Sequence, residues 1–278
     1  MCIVSLMTLS VADIAPAIAS EVRATKAELL TGVHADTLRE LLERRGVLVF
    51  PQIGFSDAEQ IEFTQTLGTF VPERTGEQVY SVTLDTTVNE LADYLKGSLY
   101  WHIDGTMNEV PIRASLLSSK VVCPDGSGDT EFANTYAAYD ALDDADKDAL
   151  ESLRVMHSAW NTLFYYDPEP SYATLRKMMA IGDRELPLVW NHRSGRRSLV
   201  LGCTARHVVD IDFRRSVELL VRLRDWATRP EFVYRHHWSV GDLVIWDNTG
   251  TMHRATPYDP QSGRLLHRTK LEGEEPFA

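Results

Sequence analysis

His102 and Asp104 stand two residues apart in Tyr100-Trp101-His102-Ile103-Asp104-Gly105. In an extended segment residues i and i+2 point to the same side. The imidazole and the carboxylate therefore converge while Ile103 packs away. One His and one carboxylate make up two-thirds of the 2-His-1-carboxylate set that holds non-haem Fe(II) and leaves positions open for a co-substrate and O2. A surface His–Asp hydrogen bond near a turn is the plainer reading of the same spacing. The third ligand must come from elsewhere among nine histidines. The best candidate is His253 in Trp246-Asp247-Asn248-Thr249-Gly250-Thr251-Met252-His253-Arg254, a strand-then-turn pattern in which Gly250 permits a tight bend. An ordinary loop histidine fits there as well. His236 and His237 compete, but adjacent residues in a strand face opposite ways, so only one of them can point inward.

A second group lies in Arg264-Leu265-Leu266-His267-Arg268-Thr269. On a strand, Arg264, Leu266 and Arg268 share a face. Two arginines turned into a barrel are costly unless they meet anions. A dicarboxylate co-substrate would supply them, and the guanidinium fork suits a carboxylate. A solvated edge strand is the alternative. Gly126-Ser127-Gly128-Asp129-Thr130 resembles a phosphate loop only superficially: Glu131 stands where a third glycine is needed and no GK[ST] follows. A turn presenting the Thr130 hydroxyl fits better. No GxSxG, HExxH or cysteine cluster occurs, which removes support for a serine hydrolase or a zinc protease.

These side chains need elements to position them. Leu38, Leu41 and Leu42 mark a helix over Ala35 to Arg45, with Gly46 suited to its end. Gly46 to Phe50 reads as a buried strand, stopped by Pro51. Ser56 to Glu59 is a capping box opening a helix to about Leu67. Further helices are expected from Asp143 to Arg154 and from Arg214 to Ala227. Strands are expected over Leu99 to Asp104, Ala114 to Val122, Ser198 to Gly202, Phe232 to Trp238, Asp242 to Asp247 and Arg264 to Leu271. There is no βαβα alternation, so a doubly wound sheet is disfavoured. The pattern predicts a mainly β protein with flanking helices, built on a double-sheet jelly roll. The segments 81–100 and 160–193 read as excursions over one mouth of the barrel.

The chain has 278 residues, which suggests up to two domains, but with no linker or repeat a single domain over 1–278 is the simpler expectation. Its 44% apolar and 24% charged residues are those of a globular protein. No apolar run is long enough for a membrane span. Forty acids against 28 bases give a net charge of -12, which argues against a nucleic-acid face and requires local cations for any bound anion. The apolar start, with Ala17-Ile18-Ala19 resembling a cleavage site, lacks a preceding basic residue and is broken by Asp13 and Pro16, so a signal peptide is not expected. Met7 is an alternative start. Cys2, Cys123 and Cys203 form no CxxC pair, which suits a reduced, cytoplasmic setting.

Taken together, the order of these motifs resembles the taurine dioxygenase-type family of Fe(II)- and 2-oxoglutarate-dependent oxygenases. The likeness runs from the strand Gly46-Val47-Leu48-Val49-Phe50, through Trp101 to Gly105 and Gly128-Asp129-Thr130-Glu131-Phe132-Ala133-Asn134, to His253, Arg264 and Arg268. Arg193-Ser194-Gly195-Arg196-Arg197-Ser198-Leu199 and Glu231 to Leu243 are similar to the phenoxyacetate-herbicide dioxygenase branch, except that Asn191-His192 replaces the usual His-Pro. The resemblance implies a double-stranded β-helix. It implies Fe(II) held by His102, Asp104 and His253, and the distal carboxylate of 2-oxoglutarate held by Thr130 and Arg264. Arg268 would lie near the metal-binding end of that co-substrate. The implied activity is O2-dependent hydroxylation of a small organic acid, an aryloxyalkanoate, sulfonate or sulfate ester, with C–O or C–S cleavage and release of succinate and carbon dioxide. Two other readings stay open: a metal-dependent hydrolase on the same three residues, and a jelly-roll binding protein without catalysis. The family likeness also leaves a homo-oligomer open.

Overall fold

The structure, a computed structural model, describes residues 9–73 and 76–278. Cys2 and Met7 lie outside the described residues. Seven strands form the major sheet, in the order Ser10–Asp13, Ser20–Arg23, Val47–Phe50, Leu243–Asp247, Ala114–Val121, Leu265–Leu271, Tyr80–Val82. All its pairs are antiparallel except that of Ser20–Arg23 with Val47–Phe50. A smaller sheet has the order Val233–His236, Thr130–Asn134, Thr251–Ala255.

The central strand Leu243–Asp247 is buried along its whole length because both of its faces are covered. Leu243 and Ile245 pack with Leu38, Leu41 and Leu42 of the helix Ala35–Arg45 and with Phe63 and Leu67 of the helix Asp57–Leu67. Val244 and Trp246 face inward and meet Phe132 of the smaller sheet, with the Phe132 and Trp246 ring centroids 5.6 Å apart. The site lies in the space between these two sheets. Both helix predictions near the amino end hold: Gly46 caps the first helix at φ +72°, and Ser56 and Glu59 form the reciprocal capping box.

Four expectations change. The helix from Asp143 ends at Leu150, and Arg154–Ser158 is a strand whose Val155 and His157 turn into the core. Leu99 to Asp104 is not a strand. Lys96–Leu99 is a 3-10 turn, and only His102 pairs, in a single antiparallel bridge with His253. Thr130 opens the central strand of the smaller sheet rather than standing in a turn, and the turn falls on Gly128 at φ +81°. The segment 160–193 divides in two. Thr162, Tyr166 and Met178 border the cavity described below, whereas Leu186, Leu188, Val189 and Trp190 are core. That second half therefore does not lie over the barrel mouth. It contributes the strands Asp183–Pro187 and Val189–Asn191, which pair with Arg154–Ser158 and Arg197–Leu199.

Glu131 ties the smaller sheet together. It stands directly opposite Arg235 on one neighbouring strand and Arg254 on the other. Arg235 Nε donates to Oε1 at 2.8 Å and Arg254 Nε to Oε2 at 2.7 Å. Burial opposes ionisation of Glu131, but the two guanidinium groups outweigh it and hold the carboxyl below its usual value. A depressed carboxylate stabilises the fold above its unfolded pKa and loses that contribution as pH falls through the folded value. Glu131→Gln is therefore expected to lower stability at pH 7 by about 1–2 kcal/mol, both arginines being partly exposed. The gap to the parent should close in melts toward pH 3; a constant gap would contradict it.

Candidate metal centre

His102 and His253 face each other across their bridge, His102 N donating to His253 O at 3.0 Å and His253 N to His102 O at 2.9 Å. This brings the two ring centroids to 4.1 Å. Asp104 completes the group. Its Oδ1 lies 3.7 Å from His102 Nε2 and its Oδ2 3.8 Å from His253 Nε2. One ligand atom from each residue falls within 4.8 Å of the others, a spacing suited to one cation at their centre.

The protonation states fit that use. His102 Nδ1–H donates to Tyr100 O at 2.8 Å, which leaves the Nε2 lone pair free. His253 packs against Trp246 at 4.6 Å, and burial, with His102 second, pulls its pKa well down despite Asp104, so it is a neutral ligand. Burial opposes ionisation of Asp104, but the Arg268 guanidinium above all, with the Ser115 hydroxyl, overcomes it and holds the carboxyl well below its ordinary range. Two imidazole nitrogens and a carboxylate, with partners holding His102 Nδ1 and the carboxylate in place, fit a divalent ion such as Fe(II).

A cavity of about 330 Å3 opens from this group and is also lined by Thr130, Tyr258, Arg264, Arg268 and Lys270. Arg264 is 3% exposed and pairs with no carboxylate among the described residues. Its Nε donates to Gly128 O at 3.0 Å, and its guanidinium stacks 4.5 Å from the Tyr258 ring centroid. A Cβ on Gly128 would come within 2.7 Å of that Nε, so glycine is needed for the approach. Trp238 Nε1 donates to Thr130 Oγ1 at 3.0 Å, leaving the Thr130 proton free to point at an acceptor.

Arg268 reaches the metal group. The anions it meets are protein carboxylates: its Nε donates to Glu73 at 2.8 Å and its Nη1 to Asp104 Oδ2 at 3.0 Å. Lys270, on the same strand face, also binds Glu73, at 3.0 Å. Glu73 carried no signal in the sequence, being one acid among forty. The rival histidines are accounted for elsewhere. His236 bonds Asp242 at 3.1 Å in the interior, and His237 lies on the surface against Asp129 at 2.9 Å. His192 bonds both Ser198 and Glu275 at 2.7 Å, a Ser–His–Glu line. Ser198 is 1% exposed and donates to Thr249 O, so that line is sealed in the core and offers no hydrolytic nucleophile. Ser115, Tyr258 and Trp238 were also missed, since no local spacing marks them.

Facing sheets around a His/Asp/His group, beside a buried arginine with no carboxylate partner among the described residues, define a non-haem metal enzyme. A family model described as "Taurine catabolism dioxygenase TauD, TfdA family" matches residues 10–270. The chain belongs to this family of dioxygenases. It is 36% identical over 261 residues to the α-ketoglutarate-dependent 2,4-dichlorophenoxyacetate dioxygenase of Cupriavidus pinatubonensis, a match covering 87% of this chain and 89% of the relative. Similarity to the α-ketoglutarate-dependent sulfate ester dioxygenase of Pseudomonas putida is 31% identity over 282 residues, 97% of this chain and 91% of the relative. The crystal structure of AAD-2 in complex with Mn(II) and N-oxalylglycine matches with a TM-score of 0.83 at 31% identity, covering 98% of this chain and 100% of that one.

Proposed function

We propose that the protein is an Fe(II)- and 2-oxoglutarate-dependent dioxygenase. It hydroxylates a small organic acid, aryloxyalkanoate-like or a sulfonate or sulfate ester, and cleaves a C–O or C–S bond where the oxidised carbon carries one. The observation that carries this reading is the pairing, in one cavity, of the His102/Asp104/His253 group with the buried, carboxylate-free Arg264. A hydrolase on the same three residues would leave Arg264 without an anion.

His102, Asp104 and His253 would hold the iron. Bound Fe(II), with 2-oxoglutarate and O2, supplies the oxidation, delivering one oxygen atom to a substrate C–H while 2-oxoglutarate leaves as succinate and carbon dioxide. Arg264 and the Thr130 hydroxyl hold the distal carboxylate of 2-oxoglutarate through charge-assisted bonds. Arg268 serves the metal-binding end of the site by keeping Asp104 ionised and aimed. Tyr94, Leu95, Thr162 and Tyr166 roof the cavity, so 81–100 and the first half of 160–193 act as lids that exclude water. Ligands drawn from residue 102 to residue 264, and the two facing sheets, support one jelly-roll domain over the chain. With Asp104 and Glu73 set against Arg268 and Lys270, the positive charge left in the cavity wall comes from Arg264, which favours an anionic small molecule. The buried free thiols Cys123 and Cys203 suit a reducing, cytoplasmic setting, where family likeness points to a homo-oligomer. Among the described residues no helix is long and apolar enough to cross a membrane.

The test is optical and chemical. Anaerobic protein with Fe(II) and 2-oxoglutarate should show a weak visible metal-to-ligand band, and admitting O2 with a panel of aryloxy acids, sulfonates and alkyl sulfates should release succinate. No band in the parent protein would overturn the reading.

A further inference from the structure

His157 is fully buried on the strand Arg154–Ser158, outside the metal group. Its Nδ1 lies 2.9 Å from Thr204 Oγ1, and its Nε2 has no hydrogen-bond partner among the described residues. Burial pulls its pKa down to about 3, so the ring is neutral and carries one N–H. A buried N–H without an acceptor is a costlier orphan than a bare lone pair. The proton therefore sits on Nδ1 and is donated to Thr204 Oγ1. That oxygen accepts from His157, and the hydroxyl proton of Thr204 must turn elsewhere. Thr106 Oγ1, at 3.4 Å, is at the weak limit of a hydrogen bond.

Both threonines line the cavity that holds the metal ligands. Their placement puts them beside the metal-ligand group. Thr106 follows Asp104 by two residues. Thr204 follows Gly202 and Cys203, which are packed on the His102 backbone: Cys203 N donates to Trp101 O at 2.7 Å, and a Cβ on Gly202 would stand 3.0 Å from His102 Cα. The same cavity is lined by the apolar Leu95, Met107 and Met178 and by the polar Ser98, Asn108 and Thr162.

We propose that Thr204 presents a fixed hydrogen-bond donor to an oxygen bonded to the substrate carbon that is oxidised, and that His157 is the positioning residue that sets the direction of that hydroxyl. The proposal rests on the dioxygenase reading and narrows its substrate class. The ligand carries a divalent oxygen, an aryl ether or a sulfate ester, that accepts a hydrogen bond and cannot donate one. A substrate with an N–H or ammonium at that point would face donor against donor.

Matched probes test this. Phenoxyacetate is compared with 3-phenylpropanoate, and hexyl sulfate with heptane-1-sulfonate; in each pair a methylene replaces the oxygen. KM and kcat are read from succinate release. The parent should favour the oxygen-linked member of at least one pair by about tenfold in KM. Thr204→Val should remove that preference by raising KM for the oxygen-linked member alone, and Thr204→Ser should keep it. His157→Phe should reproduce the loss, and His157→Asn, with an amide N–H, should restore it. If His157→Phe does not fold by circular dichroism, the two Thr204 variants decide the matter. Equal effects of Thr204→Val on both members of a pair would overturn the proposal, as would a parent indifferent to the oxygen or active only on probes without it. A parent with no Fe(II) and 2-oxoglutarate band fails at the earlier step and takes this proposal with it.

Discussion

Asp104→Ala should abolish the visible band of the Fe(II) and 2-oxoglutarate complex and lower succinate release by about a thousandfold or more, equivalent to ~4 kcal/mol. Asp104 is the one anionic donor of the three, and each of its oxygens faces a histidine Nε2, at 3.7 and 3.8 Å. Two neutral imidazoles alone would hold a divalent cation weakly. The fold is expected to survive the change, because Arg268 loses one partner but keeps Glu73 at 2.8 Å. Thermal melts should therefore separate loss of the metal from loss of the protein. Ser115→Ala provides the graded comparison. Its hydroxyl reaches Asp104 Oδ2 at 3.3 Å, and removing it should weaken the metal by about tenfold while leaving the band in place. A full band in Asp104→Ala would move the metal away from this group.

The parts of the site that could be read from the sequence are those set by local spacing. His102 and Asp104 converge because a two-residue step keeps them on one side, and this holds although the flanking chain forms one bridge rather than a strand. His253 was the best third candidate, but neither local pattern nor orientation excluded His236 or His237. Only the pairing of 102 with 253 across the sheet did so. Strands covered on both faces, such as Leu243–Asp247, were legible as apolar runs. Arg154–Ser158 was not, because its Val155-Met156-His157 follows directly on a helical pattern and its partners lie at 183–187 and 205–208. The same limit hid the contact chemistry. Glu73 meets Arg268 and Lys270 across 195 and 197 residues, and His157 meets Thr204 across 47. Such pairs have no period or spacing. They are made by the sheet register, which brings distant residues together only after the long loops have closed.

Arg264→Met should raise KM for 2-oxoglutarate by about a hundredfold or more, equivalent to ~3 kcal/mol, because a carboxylate loses a charge-assisted and directional partner. The variant is also expected to melt no lower than the parent when 2-oxoglutarate is absent. In the free protein the guanidinium is 3% exposed, with Gly128 O and Tyr258 as partners but no carboxylate, and burial draws its pKa down even though Tyr258 opposes the shift. A buried charge of that kind is a cost that an apolar side chain of similar length does not carry. Ligand should reverse the order. With divalent metal present and O2 excluded, 2-oxoglutarate at about 100 times its Kd should stabilise the parent by about 2.7 kcal/mol, and Arg264→Met should gain almost none of it. Arg264→Lys should fall between the two, since it keeps the charge but lacks the planar fork. An undiminished ligand-induced rise in the melting temperature of Arg264→Met would show that the distal carboxylate is held elsewhere. An equal fall in stability with and without ligand would show instead that Arg264 serves the fold. The opposite signs expected in the two conditions distinguish a binding arginine from a structural one.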